Sequence, residues 1–292
     1  MLATDLPPFS PARLLERVFP EVRQRYRARD CILYALGIGF GSDPLDRSEL
    51  PFVFEEPVLR VVPSMAVALA TPGFWAREAD TGIDWRQMLH GEEEFVLHRP
   101  LPAEATVAAQ TRITRVIDKG PSTGALIYSE RTIRDTDSGA ELATVRTTRF
   151  ARGNGGCGGD LGPQPVPHSV PSRRPDAVID HTTEPRSALL YRLSGDPNPL
   201  HADPVVARAA GFDRPILHGL CTLGVAVRAV LRAYCANDPN RLHRVKVRFS
   251  RPVFPGDTIR TQLWRDGHVV SFRARVLERD TVALDCGRAD LG

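Results

Sequence analysis

The sequence YRLSGDPNPLHADP carries three side chains that can hold and move a proton. Asp196 offers a carboxylate, Asn198 an amide and His201 an imidazole, and Pro197 and Pro199 stand between them. The prolines fix φ and disfavour a helix, so the three side chains keep fixed relative directions. A carboxylate and an imidazole exchange protons with water near neutral pH, and an amide orients that water without titrating. The letters G-D-P-N-P are equally typical of a tight turn, so a purely structural role stays open at this point.

A glycine further along the chain could stabilise a developing negative charge. Gly219 lies near the start of HGLCTLGVAVRAVLRAYC, a segment of 18 residues that is apolar on most faces and predicts a largely buried helix. The first N–H groups of a helix lack intrahelical acceptors and its dipole favours negative charge, which suits the enolate oxygen of a thioester. Together with Asp196 and His201, such a site describes proton transfer next to a carbonyl group. The alternatives are that His218 and Gly219 only start the helix, and that the nearby Cys221 belongs to the core rather than acting as a nucleophile.

The elements that must position these residues can be read from the second half of the chain. A short helix is expected over DPVVARAAGF, with Asp203 as N-cap, Pro204 at N1 and Gly211 at its end. After the long helix, alternating segments separated by turn signals predict four antiparallel strands: RVKVRFSRPVF, DTIRTQLWRDG, HVVSFRARVLERD and TVALDCGRADLG. The first half has four similar segments, and its helical stretch MAVALATPGFWA is interrupted by Pro72 and Gly73. Each half therefore predicts an α+β layer in which an antiparallel sheet wraps around a helix.

The two halves are related by an internal duplication. Tyr34 in ILYALGIGFGSDP lies 157 residues before Tyr191 in LLYRLSGDPNPLH, and the matching prolines of FVLHRPLPAEATVAAQ and VRFSRPVFPGDTIRTQ are 152 residues apart. Two matches in the same order at similar offsets predict a repeat. In the earlier copy, the positions of the three acid–base candidates hold Gly39, Gly41 and Pro44. The chemistry is therefore expected only in the second half.

A segment rich in Gly, Pro and Ser separates the halves. RGNGGCGGDLGPQPVPHSVPSRRPDA cannot bury a core and is typical of a linker. Its GNGGCGG stretch could suggest a nucleotide-binding loop, but no GK[ST] follows and a Pro-rich run stands where a helix should begin. We therefore expect an N-terminal repeat over 1–151, a linker over 152–176 and a C-terminal catalytic repeat over 177–292.

Composition narrows the class of protein. Hydrophobic residues make up 42% and charged residues 25%, which is typical of a soluble globular protein, and the net charge of +3 gives no reason to expect nucleic acid as a partner. The five cysteines are scattered without a CxxC pair, so neither a zinc site nor a disulfide framework is indicated. No signal peptide, apolar membrane-spanning run or peroxisomal C-terminal tripeptide is present, and we expect a cytoplasmic protein without membrane contact.

The segment from YRLSGDPNPLHADP through the long helix resembles the hydratase 2 motif of (R)-specific 2-enoyl-CoA hydratases, the MaoC-like dehydratases. The resemblance continues through VKVRFSRPVFPGDTIRTQLW. The first half is similar to its counterpart in the hydratase 2 unit of peroxisomal multifunctional enzyme type 2, in RDCILYALGIG, LHGEEEFVLHRPLP, VIDKG and GNGGCGG.

This resemblance implies a double hot-dog fold whose N-terminal repeat shapes a tunnel for the acyl tail. Asp196 and His201 would carry the acid–base chemistry, Asn198 would help to hold the water, and the backbone N–H of Gly219 would bind the thioester oxygen. Further substrate contacts would fall on Pro197, Pro199, Leu200, His90, Gly91, Lys119 and Phe249.

The activity implied is the reversible syn hydration of trans-2-enoyl-CoA to (R)-3-hydroxyacyl-CoA, in fatty-acid metabolism such as β-oxidation. An acyl-CoA thioester is the expected partner, a homodimer the expected assembly, and no metal or organic cofactor is required. The alternatives are a dehydratase acting on acyl-carrier-protein, branched or sterol-derived thioesters, a hot-dog thioesterase, and an acyl-CoA-binding module without catalysis. Loss of catalysis from the first repeat, with its interrupted helix, is expected to leave room for a bulky acyl group.

Overall fold

A computed structural model describes residues 8–292 of the chain. The strands are β1 (Val22–Tyr26), β2 (Met88–Leu97), β3 (Ala105–Asp118), β4 (Ala125–Asp135), β5 (Glu141–Ala151), β6 (Ala177–Thr182), β7 (Leu242–Phe249), β8 (Thr258–Asp266), β9 (Val269–Val276) and β10 (Thr281–Leu291). The α-helices are α1 (Pro11–Leu15), α2 (Ala28–Gly37), α3 (Ser187–Tyr191), α4 (Pro204–Ala209) and α5 (Gly219–Tyr234). Among these residues, no helix combines the length and the apolar character needed to cross a membrane.

The ten strands form one antiparallel sheet in the order β1-β3-β4-β5-β2-β7-β10-β9-β8-β6. Each repeat contributes five strands, and the repeats join where β2 pairs with β7, with Glu92 opposite Arg248 and Phe95 opposite Val245. This is the double hot-dog arrangement, and the predicted fold class is confirmed. The edge strands β1 and β6 were not expected from the sequence.

The inner face of the sheet encloses the long helix of the second repeat. α5 covers 16 residues, and those from Cys221 to Leu231 are all buried, as its apolar sequence predicts. Strand burial alternates with a period of two; in β4 the buried side begins at Ala125 and returns at every second residue to Ile133. The predicted short helix is also present as α4, in which the Asp203 side chain accepts the N–H of Val205 at 2.7 Å.

The first repeat has only a short 3-10 helix in the place of α5. This helix spans Pro63–Ala68, and the chain turns away before Pro72, with Gly73 at a positive φ of 70°. The interruption predicted from the sequence is therefore present. Five of its six residues are buried, so the segment still packs under the sheet.

The earlier copy of the motif begins as a helix and ends as a turn. ILYALG forms the end of α2, and only the residues from Ile38 onward turn, with Gly39 at a φ of 94°. The later copy follows the same course, since α3 ends at Tyr191 and Gly195 has a φ of 116°. The tyrosines of the two copies contact each other, with ring centres 5.8 Å apart.

The Gly-rich part of the connection is ordered around one carboxylate, which differs from the plain linker expected over 152–176. Asp118 accepts the N–H groups of Gly120, Gly156 and Gly158 at 2.9, 2.9 and 3.0 Å. A side chain at Gly155 would lie 2.1 Å from the carbonyl oxygen of Gly120, so only glycine fits there. Because a carboxylate occupies the amide donors of Gly156 and Gly158, this loop does not offer them to a nucleotide phosphate.

Candidate active site

The proline-rich turn holds its own side chains in place. Asp196 Oδ1 accepts the N–H of Asn198 at 3.1 Å, and Asn198 Oδ1 accepts the N–H of Leu200 at 3.1 Å. Each side chain thus uses one oxygen to accept a backbone N–H of the turn. The second carboxylate oxygen of Asp196 and the Nδ2 of Asn198 remain available to a ligand. The structural and chemical interpretations of this sequence are therefore compatible, because the turn fixes the directions of the groups that would react.

His201 lies at the end of the turn in a 3-10 helix and is 8% exposed. Its Nδ1 lies 2.8 Å from the carbonyl oxygen of Ile216. A carbonyl only accepts hydrogen bonds, so Nδ1 carries the proton and Nε2 carries the free lone pair. Burial lowers the pKa of His201 below its ordinary value, more strongly than the Ile216 carbonyl and Asp196 raise it. The imidazole is therefore neutral at pH 7 and able to accept a proton.

A second histidine, His218, forms a cluster with Asp196 and His201. From the sequence, His218 was assigned only to the start of a helix. The ring of His218 stacks on that of His201, with centres 3.7 Å apart and planes 26° apart. Its Nε2 lies 3.4 Å from the backbone oxygen of Asp196, so it ties the imidazole stack to the turn. Burial first, and His201 next, lower the pKa of His218 to about 4. Ser, Thr, Asp and Asn usually cap helices, and a histidine at this N-cap position was the available signal for another role.

Gly219 is the first residue of α5, at the point where the proline-rich turn approaches the helix. The glycine is exposed although its neighbours Leu217 and His218 are buried, and as the first helical residue it has no intrahelical acceptor for its N–H. A Cβ at this position would lie 3.1 Å from two carbons of the Phe249 ring. The glycine therefore leaves the approach to the N–H open, with the positive end of a 16-residue helix behind it.

The other predicted substrate contacts form one surface next to Gly219. Phe249 ends β7, and its ring centre lies 4.5 Å from that of His90, which sits at a β-bulge beside Gly91. Lys119 lies in the turn after β3 with its Nζ 5.6 Å from the ring centre of Phe150, whose strand neighbour Leu89 precedes His90.

The three residues of the turn that were also expected to touch substrate differ in exposure. Pro197 and Pro199 are exposed and Leu200 is half-buried. The structure thus places Pro197, Pro199 and Leu200 on the proline-rich turn itself. His90, Gly91 and Lys119 lie at the near end of the first repeat's strands, next to Phe249 at the end of β7 in the second repeat.

The cluster has the composition of a metal site but not the geometry of one. Polar atoms of Asp196, His201 and His218 all lie within 4.8 Å of one another. Imidazole lone pairs lie in the ring plane, and the two rings are stacked, so their lone pairs do not converge on one ion. A carboxylate beside a neutral imidazole is instead an arrangement that can transfer protons.

Two family models match the chain, one in each repeat. Residues 24–153 match the MFE-2 hydratase 2 N-terminal domain, and residues 167–285 match the MaoC like domain. The chain is 38% identical to "Enoyl-CoA hydratase 2, peroxisomal" of Arabidopsis thaliana, over 97% of this chain and 96% of that protein. It is 39% identical to "3-hydroxyacyl-thioester dehydratase Y" of Mycobacterium tuberculosis, over 90% and 91% of the two chains.

A solved structure agrees with these sequence relatives. The MaoC-like dehydratase of Phytophthora capsici superposes with a TM-score of 0.85 at 34% identity, covering 96% of this chain and 98% of that one. At this coverage the superposition spans both repeats of the chain. The chain therefore belongs to the MaoC-like hydratase 2 family of enzymes, with both repeats present.

Proposed function

We propose that this chain catalyses the reversible hydration of trans-2-enoyl-CoA to (R)-3-hydroxyacyl-CoA in fatty-acid metabolism. One observation carries the proposal: a buried neutral imidazole, His201, lies beside the Asp196 carboxylate at the exposed N-terminus of a buried helix that begins with Gly219. Enoyl-CoA hydration is the activity named for the Arabidopsis relative, which supports the assignment.

In the hydration direction, a water molecule would be held by Asp196, Asn198 and His201. As its oxygen bonds to the β-carbon, the water gives a proton to Nε2 of His201, and the electrons of the C=C bond move onto the thioester oxygen. The N–H of Gly219 and the dipole of α5 stabilise that enolate. The imidazolium then returns the proton to the α-carbon on the same face, so the addition is syn and the thioester is restored.

His201 rather than Asp196 is assigned as the base because burial keeps its imidazole neutral and its Nδ1 hydrogen bond fixes one tautomer, whereas the turn already holds one oxygen of Asp196. The carbonyl of Ile216 holds the Nδ1 proton, so Nε2 is available to accept a second one. The Asp196 carboxylate then orients the water and stabilises the imidazolium.

The two repeats would have different roles, one in catalysis and the other in binding the acyl tail. The catalytic residues all lie within 177–292, and the repeat over 1–151 would shape the site of the acyl tail, with His90, Gly91, Lys119 and Phe249 beside the path of the CoA thioester. The ranges matched by the two family models, 24–153 and 167–285, support boundaries near 151 and 177. We also propose a homodimer in the cytoplasm, to be tested by sedimentation and cell fractionation, since the name of the Arabidopsis relative places that protein in the peroxisome.

The test is a spectrophotometric assay with crotonyl-, decenoyl- and branched enoyl-CoA. Hydration removes the absorbance of the enoyl thioester without releasing free thiol, and chiral analysis of the product must give the (R) alcohol. Asp196→Asn and His201→Ala should each lower kcat by at least about 10²-fold, the scale of a lost acid–base group. The exposed residues Asp213 and His268 provide matched controls, Asp213→Asn and His268→Ala.

Two results would contradict the proposal. Release of free thiol would indicate a thioesterase, and binding of enoyl-CoA without any absorbance change would indicate a binding module. Near-normal turnover by folded Asp196→Asn or His201→Ala protein would remove the catalytic assignment.

A second candidate is the same chemistry run as dehydration on another thioester. The Mycobacterium tuberculosis relative is named as a 3-hydroxyacyl-thioester dehydratase, without restriction to CoA. Comparing kcat/KM for one acyl group on CoA and on acyl-carrier protein distinguishes the two carriers.

A further inference from the structure

The inner face of the first repeat carries a group of polar side chains between two apolar clusters. One apolar cluster includes Phe95, Val145 and Ile133, and the other includes Ile127 and Trp75. Strand register places the polar side chains in adjacent rows, because Glu93 faces Thr147, Thr147 faces Ser129, and Arg131 faces Thr111. We call this group the polar patch; it consists of Glu93, Thr111, Ser129, Arg131, Thr147 and Arg149.

The two arginines of the polar patch have few partners. Arg131 is 8% exposed, its Nη2 donates to the carbonyl oxygen of Val67 at 2.8 Å, and its buried Nε has no partner among residues 8–292. Arg149 donates from Nη1 to Ser129 Oγ at 3.1 Å. Within the described part of the chain, neither guanidinium has a carboxylate within 4.0 Å, since Glu93 pairs with His90 at 2.9 Å instead.

Another buried arginine of the fold shows what full pairing looks like. Arg228 is 7% exposed and makes two hydrogen bonds to Glu49, of 2.7 and 2.9 Å, with further bonds to Ser42 and His181. Such acceptors stabilise a buried guanidinium. The group has five N–H donors, and its burial costs a large desolvation free energy when these donors lack hydrogen-bond partners. The polar patch therefore has donors in excess of the acceptors that the described chain supplies.

The polar patch adjoins the active site on two sides. His90 bonds to Glu93 of the polar patch, and its ring contacts Phe249, which lies next to Gly219. The 3-10 helix Pro63–Ala68 provides the second link. The carbonyl oxygen of Ala68 lies 3.7 Å from a Cβ placed on Gly195, the residue before Asp196, and the carbonyl of Val67 accepts from Arg131.

We infer that the polar patch binds an oxygen acceptor on the acyl tail, a carboxylate or a neutral hydroxyl or carbonyl group, several carbons beyond the thioester. This inference rests on the proposed hydratase function and names a class of substrate for it. An acyl chain that leaves the catalytic turn beside the 3-10 helix meets Arg131 and Arg149 rather than a continuous apolar wall. Enoyl-CoA esters with an oxygenated tail are therefore preferred over alkyl esters of equal length.

The test compares matched pairs of trans-2-enoyl-CoA that differ only at the end of the chain. Esters of six, eight, ten and twelve carbons are assayed with a methyl, an ω-hydroxyl or an ω-carboxylate terminus. Since CoA is common to each pair, the ratio of kcat/KM values reports on the tail alone. A charge-assisted hydrogen bond in a buried site predicts a ratio of at least about tenfold at one chain length. The ω-carboxylate and ω-hydroxyl arms distinguish an anionic from a neutral acceptor.

Substitutions of the two arginines test whether the polar patch causes the preference for an oxygenated tail. Arg131→Met should lower the wild-type ratio by about tenfold or more, and Arg149→Met should lower it in the same direction. Arg134, which is exposed on the same strand and pairs with Glu141, gives the matched control Arg134→Met with an unchanged ratio. If the arginines only support the 3-10 helix, substitution would lower kcat/KM for both members of a pair equally and leave the ratio unchanged, which overturns the inference.

The wild-type measurement decides the question without variants. A preference for methyl-terminated chains at every length refutes the inference, even if Arg131→Met fails to fold. Crotonyl-CoA carries no oxygen acceptor on its acyl tail, so its hydration reports on the proposed function alone. If crotonyl-CoA is hydrated and no oxygenated tail is preferred, only the inference about the polar patch fails; if no enoyl-CoA is hydrated, both fail.

Discussion

Substitution of Gly219 by alanine should separate catalysis from stability. The residue is helical and its φ lies outside the left-handed region, so the backbone accepts alanine. The added Cβ would lie 3.1 Å from Cδ1 and Cε1 of Phe249, where carbon atoms prefer about 3.5–4.0 Å. Phe249 is only partly buried, so its ring can move by a few tenths of an ångström. Alanine also gains up to about 1 kcal/mol in helix propensity, so the free energy of unfolding should change little.

The activity should nevertheless fall. An oxyanion donor acts at 2.7–3.1 Å from the oxygen that it stabilises, and the new methyl group and the displaced ring occupy that approach. Loss of one such donor costs about 10²–10³-fold in kcat, and we expect Gly219→Ala to lose about 10²-fold. Initial rates with crotonyl-CoA give kcat and KM, and a thermal scan gives Tm.

Gly224 on the same helix provides the matched control. A Cβ there would lie 2.4 Å from Cγ2 of Ile38, inside the packed interface between α5 and the end of α2. Overpacking of this kind costs about 1–3 kcal/mol, so Gly224→Ala should lower Tm by a few degrees. Gly219→Ala protein with kcat within threefold of wild type would refute the oxyanion assignment. An equal loss of Tm in the two variants would indicate that Gly219 acts through packing alone.

Two further predictions follow from buried groups. Hydration needs neutral His201, whose pKa burial lowers below the ordinary value of about 6.5. The kcat/KM should therefore be constant from pH 7 to 8 and fall only below pH 6.5, with circular dichroism confirming the fold; a midpoint at or above pH 7 would contradict this base. Glu49→Gln should destabilise the protein by about 3–5 kcal/mol in urea unfolding, because it leaves the buried Arg228 without its charge partner. Asp180→Asn, which breaks the exposed pair with Arg260, should cost at most about 1 kcal/mol.

Local patterns in the sequence were sufficient for the elements that a buried face defines. Strands such as β3, β4 and β8 alternate with a period of two, and α5 is apolar on most faces, so the eight central strands and α5 were predicted within a few residues of their observed bounds. β1 and β6 are short edge strands, VRQRY and AVIDHT. One face of each strand is exposed to solvent, and the alternation of apolar residues in the sequence is weak. α2 was not predicted, because ILYALGIGFGSDP was interpreted only as an earlier copy of the proline-rich turn.

Contacts between distant residues account for the rest of what sequence reasoning missed. The stack of His218 on His201 is set by how α5 meets the turn, and no spacing rule encodes it. Arg131 and Glu93 lie on one face of the sheet only because β2, β5 and β4 pair in one register. The pairing of Glu49 with Arg228 spans 179 residues. Each of these groups looks like an ordinary surface residue in the sequence, and only burial gives it a role.

The first copy of the motif lost its acid–base groups but supports the helix that presents the oxyanion donor. The thiol of Cys221 donates to the carbonyl oxygen of Gly37 at 3.3 Å, and Gly224 packs on Ile38. Both contacts fall on the first turns of α5, immediately after Gly219. The end of α2 therefore fixes the direction in which the N–H of Gly219 points, and this gives a physical reason for a repeat without catalytic residues to keep its helix.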